Sequence, residues 1–123
     1  MISTNEAEEI HKILINNFGG SHGIRDVNNL ESALARPFQT FENEELYPTV
    51  ILKGAALLES LLVNHPFIDG NKRLGYTLLR LLLLSNGLDI AASQQDKYEF
   101  IIDVASGKKD FDAIVEWLTS HTF

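Results

Sequence analysis

Apolar side chains recur along most of the chain at the three- and four-residue spacing that places them on one face of an α-helix. No convincing pair of strands with period-two alternation is present. The pattern predicts a first helix over residues 4–18, a short second helix from about residue 28, and a third over 48–64. A fourth helix is expected over 70–86, and two more follow it. The predicted fold class is therefore all-α, a compact bundle of about six helices in one domain over residues 1–123.

Short-range capping signals mark several helix ends. Ser3 with Glu6, and Ser93 with Asp96, have the spacing of a capping box, in which each side chain bonds the other residue's backbone N–H. Asp110 is placed to cap the last helix. Glycines follow the first and fifth helices and predict their ends. The apolar face of the first helix is expected to consist of Ile10, Ile13, Leu14 and Phe18.

Residues 36–48 are the least regular part of the chain, with Pro37, three aromatic residues and three glutamates. A mobile flap or a short hairpin is expected there. Pro48 suits the first turn of the third helix, where its missing N–H would have no partner anyway.

The third and fourth helices are apolar around nearly their whole circumference, which predicts a buried central hairpin. The apolar positions of the fourth helix are Leu74, Leu78, Leu79, Leu81, Leu82 and Leu83. The loop that joins these two helices carries the residues that could take part in ligand binding or catalysis.

Composition narrows the classes of function. The 123 residues include no cysteine, which excludes disulfides and thiolate metal sites and fits a reducing, cytoplasmic location. Seventeen acidic against ten basic residues give a net charge of −7, which argues against a stand-alone nucleic-acid binder. Neither a targeting signal nor a basic amphipathic stretch suggests a membrane partner.

The joining loop reads His65-Pro66-Phe67-Ile68-Asp69-Gly70-Asn71-Lys72-Arg73. Pro66 disfavours helical geometry at His65 and ends the third helix there. Asp69 is a good N-cap for the fourth helix, and Gly70 permits close approach of a ligand to the backbone.

Lys72 and Arg73 lie in the first turn of the fourth helix, where the helix dipole disfavours cations. A bound phosphate would reverse that penalty, because a helix N-terminus offers free N–H groups to anions. Asp69 could hold Mg²⁺ between phosphate oxygens. Histidine titrates near neutral pH, so His65 suits a general base. Each residue has an ordinary structural explanation alone, but their combination in one loop predicts a phosphate site.

The nonapeptide resembles the signature of the Fic/Doc superfamily, His-x-Phe-x-(Asp/Glu)-Gly-Asn-x-Arg, and Lys72 matches the variant of death-on-curing (Doc) toxins. The similarity extends to Gly19-Gly20, to residues 23–26 and to residues 30–37. It implies that His65 is the catalytic base that deprotonates a target hydroxyl and that Phe67 buries its ring to fix the loop. It also implies that Asp69 binds Mg²⁺ and that the nucleotide phosphates are held by Gly70, Asn71, Lys72 and Arg73.

Thr77 lies one helical turn beyond Arg73, on the same face. It either borders this pocket or packs as an ordinary threonine. One departure from the pattern is that Leu62-Val63-Asn64 precedes His65, whereas Doc-like members often carry a basic residue shortly before the motif.

The resemblance implies the toxin of a type II toxin–antitoxin pair. Doc-type members are kinases that transfer the γ-phosphoryl group of ATP, with Mg²⁺, to a threonine of elongation factor Tu and arrest translation. Lys72 fills the space that a second glycine leaves for phosphates in Fic adenylyltransferases. Two alternatives stay open: a Fic-type protein adenylyltransferase, and a non-catalytic corepressor module that binds an antitoxin.

Many Fic proteins inhibit themselves through a (Ser/Thr)-x-x-x-Glu-(Gly/Asn) segment. The nearest matches here, residues 4–9 and 40–45, both end in Glu. The resemblance therefore implies inhibition by a separate partner, a Phd-like DNA-binding antitoxin.

Overall fold

The computed structural model describes residues 1–123, and the all-α prediction is confirmed. The helices are α1 (Thr4–Phe18), α2 (Val27–Ala35), α3 (Val50–Asn64), α4 (Asn71–Leu84), α5 (Gln94–Ala105) and α6 (Phe111–His121). A 3₁₀ turn (Arg36–Phe38) follows α2. None of these helices has the length and hydropathy needed to cross a bilayer.

Residues 40–45 form the short hairpin that was one of the two expectations for this stretch. Strand β1 (Thr40–Phe41) pairs antiparallel with β2 (Glu44–Glu45). Both turn residues, Glu42 and Asn43, have positive φ, as tight hairpin turns with the twist of the strands require.

Helices α3 and α4 form the predicted central hairpin, because both contribute to each of two hydrophobic clusters. One cluster lies between this hairpin and α5 and α6, and includes Leu58, Leu79, Phe100 and Leu118. The other lies between the hairpin and α1 and α2, and includes Ala7, Leu30 and Leu78. The loop between α3 and α4 therefore connects two rigid, buried helices.

The capping predictions are confirmed with one exception. Ser3 and Glu6 form both bonds of the capping box, at 3.0 and 3.1 Å. Asp110 caps α6. Ser93 accepts the N–H of Asp96 at 3.0 Å, but no return bond forms, so the second capping box is wrong. The Asp96 side chain is one methylene shorter than the glutamate that usually reaches back.

The predicted apolar face of α1 is partly wrong. Ile13 and Phe18 are 55% and 65% exposed, whereas the buried stripe consists of Ala7, His11 and Ile15. These three residues follow a four-residue spacing, but a search for apolar residues alone does not count the histidine and therefore misses the stripe.

Two further corrections concern the central helices. Pro48 lies outside α3, whose N-cap is Thr49, because the Thr49 hydroxyl accepts the N–H of Leu52 at 3.2 Å. Leu81, predicted to be among the buried apolar positions of α4, is 42% exposed.

Arg36 connects the 3₁₀ turn to α3 and to the segment after β2. Its guanidinium donates to the hydroxyls of Tyr47 and Ser60 and to the carboxylate of Glu59, at 2.9–3.0 Å. These groups are at least partly withdrawn from water, so they depend on one another for hydrogen bonds.

We expect Arg36→Met to lower the free energy of unfolding by about 2 kcal/mol, because Glu59 and Ser60 would lose a charged donor without regaining full hydration. Urea denaturation measures the effect. Arg80→Met is the matched control, since Arg80 pairs with Asp89 at 3.0 Å on an exposed surface and should cost much less. Equal losses in the two variants would contradict the prediction.

Candidate active site

The motif loop, residues 65–70, begins where α3 ends. His65 takes a left-handed backbone conformation, with φ 47° and ψ 62°, and confirms that the helix stops before Pro66. Pro66 and Phe67 are buried, whereas the His65 side chain is exposed. The burial of Pro66 and Phe67 thus anchors the backbone of the turn, while the His65 imidazole faces solvent.

Arg25 holds the end of α3 in place. Its guanidinium donates to the carbonyls of Asn64 and His65, the latter at 2.7 Å, and so places a cation at a helix C-terminus. The backbone N–H groups of Arg25 and Asp26 both donate to the Pro66 carbonyl, at 2.8 and 3.0 Å. The segment between α1 and α2 therefore fixes the backbone on which His65 sits.

Asp69 does not cap α4, so that prediction is wrong. Its carboxylate accepts the backbone N–H groups of Ser21, at 3.0 Å, and of Gly70, at 2.8 Å. These two hydrogen bonds lower the pKa of Asp69, which keeps the carboxylate ionised at neutral pH.

Gly70 is the N-cap of α4, in the left-handed region with φ 76°, and no side chain caps the helix. A Cβ at this position would approach Ile15 of α1 to 3.1 Å. The left-handed backbone therefore favours glycine, and any larger residue would also press on the Ile15 side chain of α1. Because no cap is present, the backbone N–H groups of Asn71, Lys72 and Arg73 have no hydrogen-bond partner.

The Asn71 side chain, at the start of α4, braces the motif loop. Its Oδ1 accepts the Phe67 N–H at 3.0 Å, and its Nδ2 donates to the Phe67 carbonyl at 2.9 Å. The amide is engaged in the loop, so the group that Asn71 offers to a ligand is its backbone N–H.

His11 is a site residue that the sequence did not reveal. It is 2% exposed, its Nε2 lies 2.8 Å from the Asp69 carbonyl, and its ring stacks on Phe67 at 3.9 Å between centroids. Because a carbonyl only accepts, Nε2 carries the proton in this contact. The signal that could have found it is its place between Ala7 and Ile15 in the buried stripe of α1.

Lys72 and Arg73 are exposed at the start of α4, on the wall of a cleft of about 430 Å³ between α4 and α5. The Arg73 guanidinium lies 4.8 Å from the centroid of the Phe18 ring. Thr77 donates its hydroxyl to the Arg73 carbonyl at 2.8 Å and does not line the cleft, which favours the packing interpretation.

The predicted site residues thus lie in the motif loop and in the first turn of α4. They are His65, Asp69, Gly70, Asn71, Lys72 and Arg73. The chain has no cluster of three or more His, Asp or Glu side chains that could enclose a metal ion, and Asp69 is the carboxylate that the motif loop offers. The contact of His11 with the motif loop, and the position of α5 along the cleft beside Lys72 and Arg73, were not predicted from the sequence.

Comparison with known proteins covers the motif loop and the helices on either side of it. The Fic/DOC family model matches residues 1–83, which contain α1 to α3, the motif loop and most of α4. The chain is also 39% identical over 99 residues to "Toxin Doc" of Mycolicibacterium smegmatis, an alignment that covers 79% of this chain and 76% of that protein. Both matches agree with the resemblance of the motif, and the chain belongs to the Fic/DOC family.

Proposed function

We propose that this chain is the toxin of a toxin–antitoxin pair and that it phosphorylates a hydroxyl group of a protein with ATP. A threonine of elongation factor Tu is the proposed target, as the resemblance to death-on-curing toxins implies. The observation that carries the proposal is the uncapped start of α4, where three unpaired N–H groups and two cations adjoin an exposed histidine.

The start of α4 suits the phosphates of a nucleotide. The free N–H groups of Asn71, Lys72 and Arg73 point out of the helix end, and the positive end of the helix dipole attracts anions. The side chains of Lys72 and Arg73 add two charges at the same place. Gly70 allows this geometry, because a glycine at the N-cap has no side chain that could bond these N–H groups.

Asp69 fits Mg²⁺ that arrives with a nucleotide. Mg²⁺ is commonly bound through one or two carboxylates together with substrate phosphates and water, and Asp69 is an ionised carboxylate beside the phosphate site. When bound, the ion would neutralise charge on the phosphate oxygens. His11 and Ser21 hold Asp69 in place through its carbonyl and its carboxylate.

His65 is the proposed general base. Its ring would accept the proton of the target hydroxyl while that oxygen attacks the γ-phosphorus of ATP. The bond from the γ-phosphorus to the β–γ bridging oxygen breaks, ADP leaves, and the proton passes from His65 to water. Arg25 bonds the His65 carbonyl and so fixes the backbone from which the imidazole reaches the hydroxyl.

An antitoxin partner is supported by apolar surface around the motif loop. Phe18, Val27, Val63 and Ile68 lie at the ends of α1, α2, α3 and in the loop itself, and each is 45–65% exposed. Exposed apolar groups of this size, gathered at one end of a molecule, are typical of a protein-binding surface. A Phd-like antitoxin segment would cover them and block the site.

The central test is incubation with elongation factor Tu and either γ-labelled or α-labelled ATP. We expect label to be transferred from the γ position. Transfer from the α position would instead identify an adenylyltransferase, and no transfer from either would favour a non-catalytic corepressor module.

Two variants of His65 sharpen this test. We expect His65→Ala and His65→Asn to slow transfer by about 10²–10⁴-fold, because the general base is lost. Asparagine tolerates the left-handed backbone of this position, so His65→Asn separates loss of chemistry from backbone strain. A folded His65→Asn variant with near-normal transfer would eliminate this role.

Lys72→Gly tests whether the lysine selects the phosphoryl group that moves. We expect slower phosphorylation, because one phosphate contact is lost, and the appearance of adenylylation, because space opens at the start of α4. Mass spectrometry of the target distinguishes the two adducts. Lys108→Gly, far from the motif in sequence and exposed, is the control. Phosphate addition at the original rate would show that Lys72 does not determine the reaction.

The toxin proposal predicts growth arrest when the chain is expressed alone, and rescue when the neighbouring open reading frame is expressed with it. Growth curves measure both. Expression of the His65→Asn variant is the control and should be tolerated. Harmless high-level expression of the active chain alone would contradict the proposal.

A further inference from the structure

Helix α1 buries one ionisable side chain, that of His11, to which the proposed transfer gives no chemical step. His11 is 2% exposed, and its ring stacks on the Phe67 ring with 3.9 Å between the centroids and 15° between the planes. It also lies against Gly70, where an added Cβ would be 3.5 Å from Nε2. Packing alone gives no reason for an imidazole here, since an apolar ring could stack on Phe67 without burying polar atoms.

The polar atoms of His11 are accounted for by a hydrogen bond to the motif loop. Its Nε2 donates to the Asp69 carbonyl at 2.8 Å, across 58 positions of the chain. This carbonyl belongs to the peptide group that joins Asp69 to Gly70. The N–H of the same peptide group donates to Oδ1 of Asp69, also at 2.8 Å. Both polar atoms of this peptide group are therefore held, one by His11 and one by the Asp69 carboxylate.

The peptide group needs to be held because one of its two residues is a glycine. Gly70 has φ 76°, and glycine adopts negative φ about as readily as positive φ, so the backbone of residue 70 gives little steric resistance to rotation of the peptide plane. Half a turn would point the carbonyl oxygen to where the N–H now points, toward the Asp69 carboxylate. Two oxygens that carry negative charge repel each other, so the carboxylate would have to move. The hydrogen bond from His11 opposes this rotation.

The orientation of the Asp69 carboxylate depends on the same peptide group. Two backbone N–H groups hold the carboxylate, those of Ser21 at 3.0 Å and of Gly70 at 2.8 Å. Rotation of the peptide plane would remove the second of these bonds and leave the carboxylate attached to Ser21 alone. Groups that orient a metal ligand without touching the metal commonly change metal affinity by about 10–100-fold.

We propose that His11 is a positioning residue, which fixes the peptide group between Asp69 and Gly70 and so keeps the Asp69 carboxylate oriented for Mg²⁺ that arrives with ATP. The inference rests on the proposed function, because it needs Asp69 to bind that ion. In this role His11 touches neither the nucleotide nor the target hydroxyl. It acts only through the backbone to which its Nε2 is bonded.

Calorimetric titration with ATP, in the presence of Mg²⁺ and in the presence of a chelator, tests the inference. All variants are made in the His65→Asn chain, so that it can be produced without its antitoxin. His11→Phe keeps a ring against Phe67 and removes the donor. We expect it to weaken binding of ATP with Mg²⁺ by about 10–100-fold and to leave metal-free binding nearly unchanged. His11→Gln, whose amide can donate from a similar position, should restore binding with Mg²⁺ to within a few-fold.

Two further variants separate positioning from packing. Leu14→Ala is the matched control, because Leu14 packs from α1 on the same cluster as Phe67 but has no donor, and it should not change the effect of Mg²⁺. In an Asp69→Asn background, His11→Phe should cause no further loss, because its effect passes through Asp69. Circular dichroism verifies that each variant is folded.

The peptide group itself can be observed by NMR relaxation dispersion, which detects exchange between conformations on the microsecond-to-millisecond scale. We expect no exchange at the Gly70 N–H in the His65→Asn parent or in His11→Gln, and exchange in His11→Phe. This measurement needs neither the nucleotide nor the metal ion.

The outcomes distinguish the inference from the proposed function. If the parent chain shows the effect of Mg²⁺ and His11→Phe binds as the parent does, the inference is overturned and the phosphate and metal sites stand. Equal losses in His11→Phe and Leu14→Ala, or a further loss in the Asp69→Asn background, would also overturn it, because docking of α1 would then be the cause. If the parent binds ATP no better with Mg²⁺ than without it, the metal role of Asp69 and the inference are overturned together.

Discussion

The buried helix α3 ends and the buried helix α4 begins within a few residues of each other. The peptide groups between them cannot form hydrogen bonds inside either helix. Buried or constrained backbone groups need partners, and here the partners come from outside the loop. Arg25 donates to the carbonyls of Asn64 and His65, and His11 donates to the Asp69 carbonyl. The Asn71 side chain bonds both the N–H and the carbonyl of Phe67. These hydrogen bonds fix the motif loop, and they leave the N–H groups at the start of α4 without partners.

Sequence reasoning succeeded where a structure depends on residues three or four positions apart. The capping box of Ser3 and Glu6, the cap at Asp110 and the helix stop before Pro66 all follow from local backbone geometry. The burial of α3 and α4 follows from their composition, since a helix that is apolar all round has no face to give to water. The motif itself is contiguous, so the predicted site residues could be named before any fold was known.

The rest depended on pairings that no local signal encodes. Asp69 looks like a cap, but its carboxylate is bonded by Ser21, 48 positions earlier in the chain. His11 reaches the same residue across 58 positions. The α4–α5 cleft joins Lys72 to Lys97 because α5 packs back on the hairpin. Such contacts are decided by the packing of helices, where many side chains compete for the same neighbours.

The contact between His11 and Asp69 links the order of the motif loop to the docking of α1. Helix α1 buries only Ala7, His11 and Ile15, whereas the cluster around α5 and α6 does not involve α1 at all. Proteins open locally wherever few buried contacts hold an element, without unfolding as a whole. An opening of α1 releases the Asp69 carbonyl and the Phe67 ring while the larger cluster remains packed. Undocking of this one amphipathic helix would thus release part of the motif loop, whereas the contacts of Arg25 and Asn71 with the loop do not depend on α1.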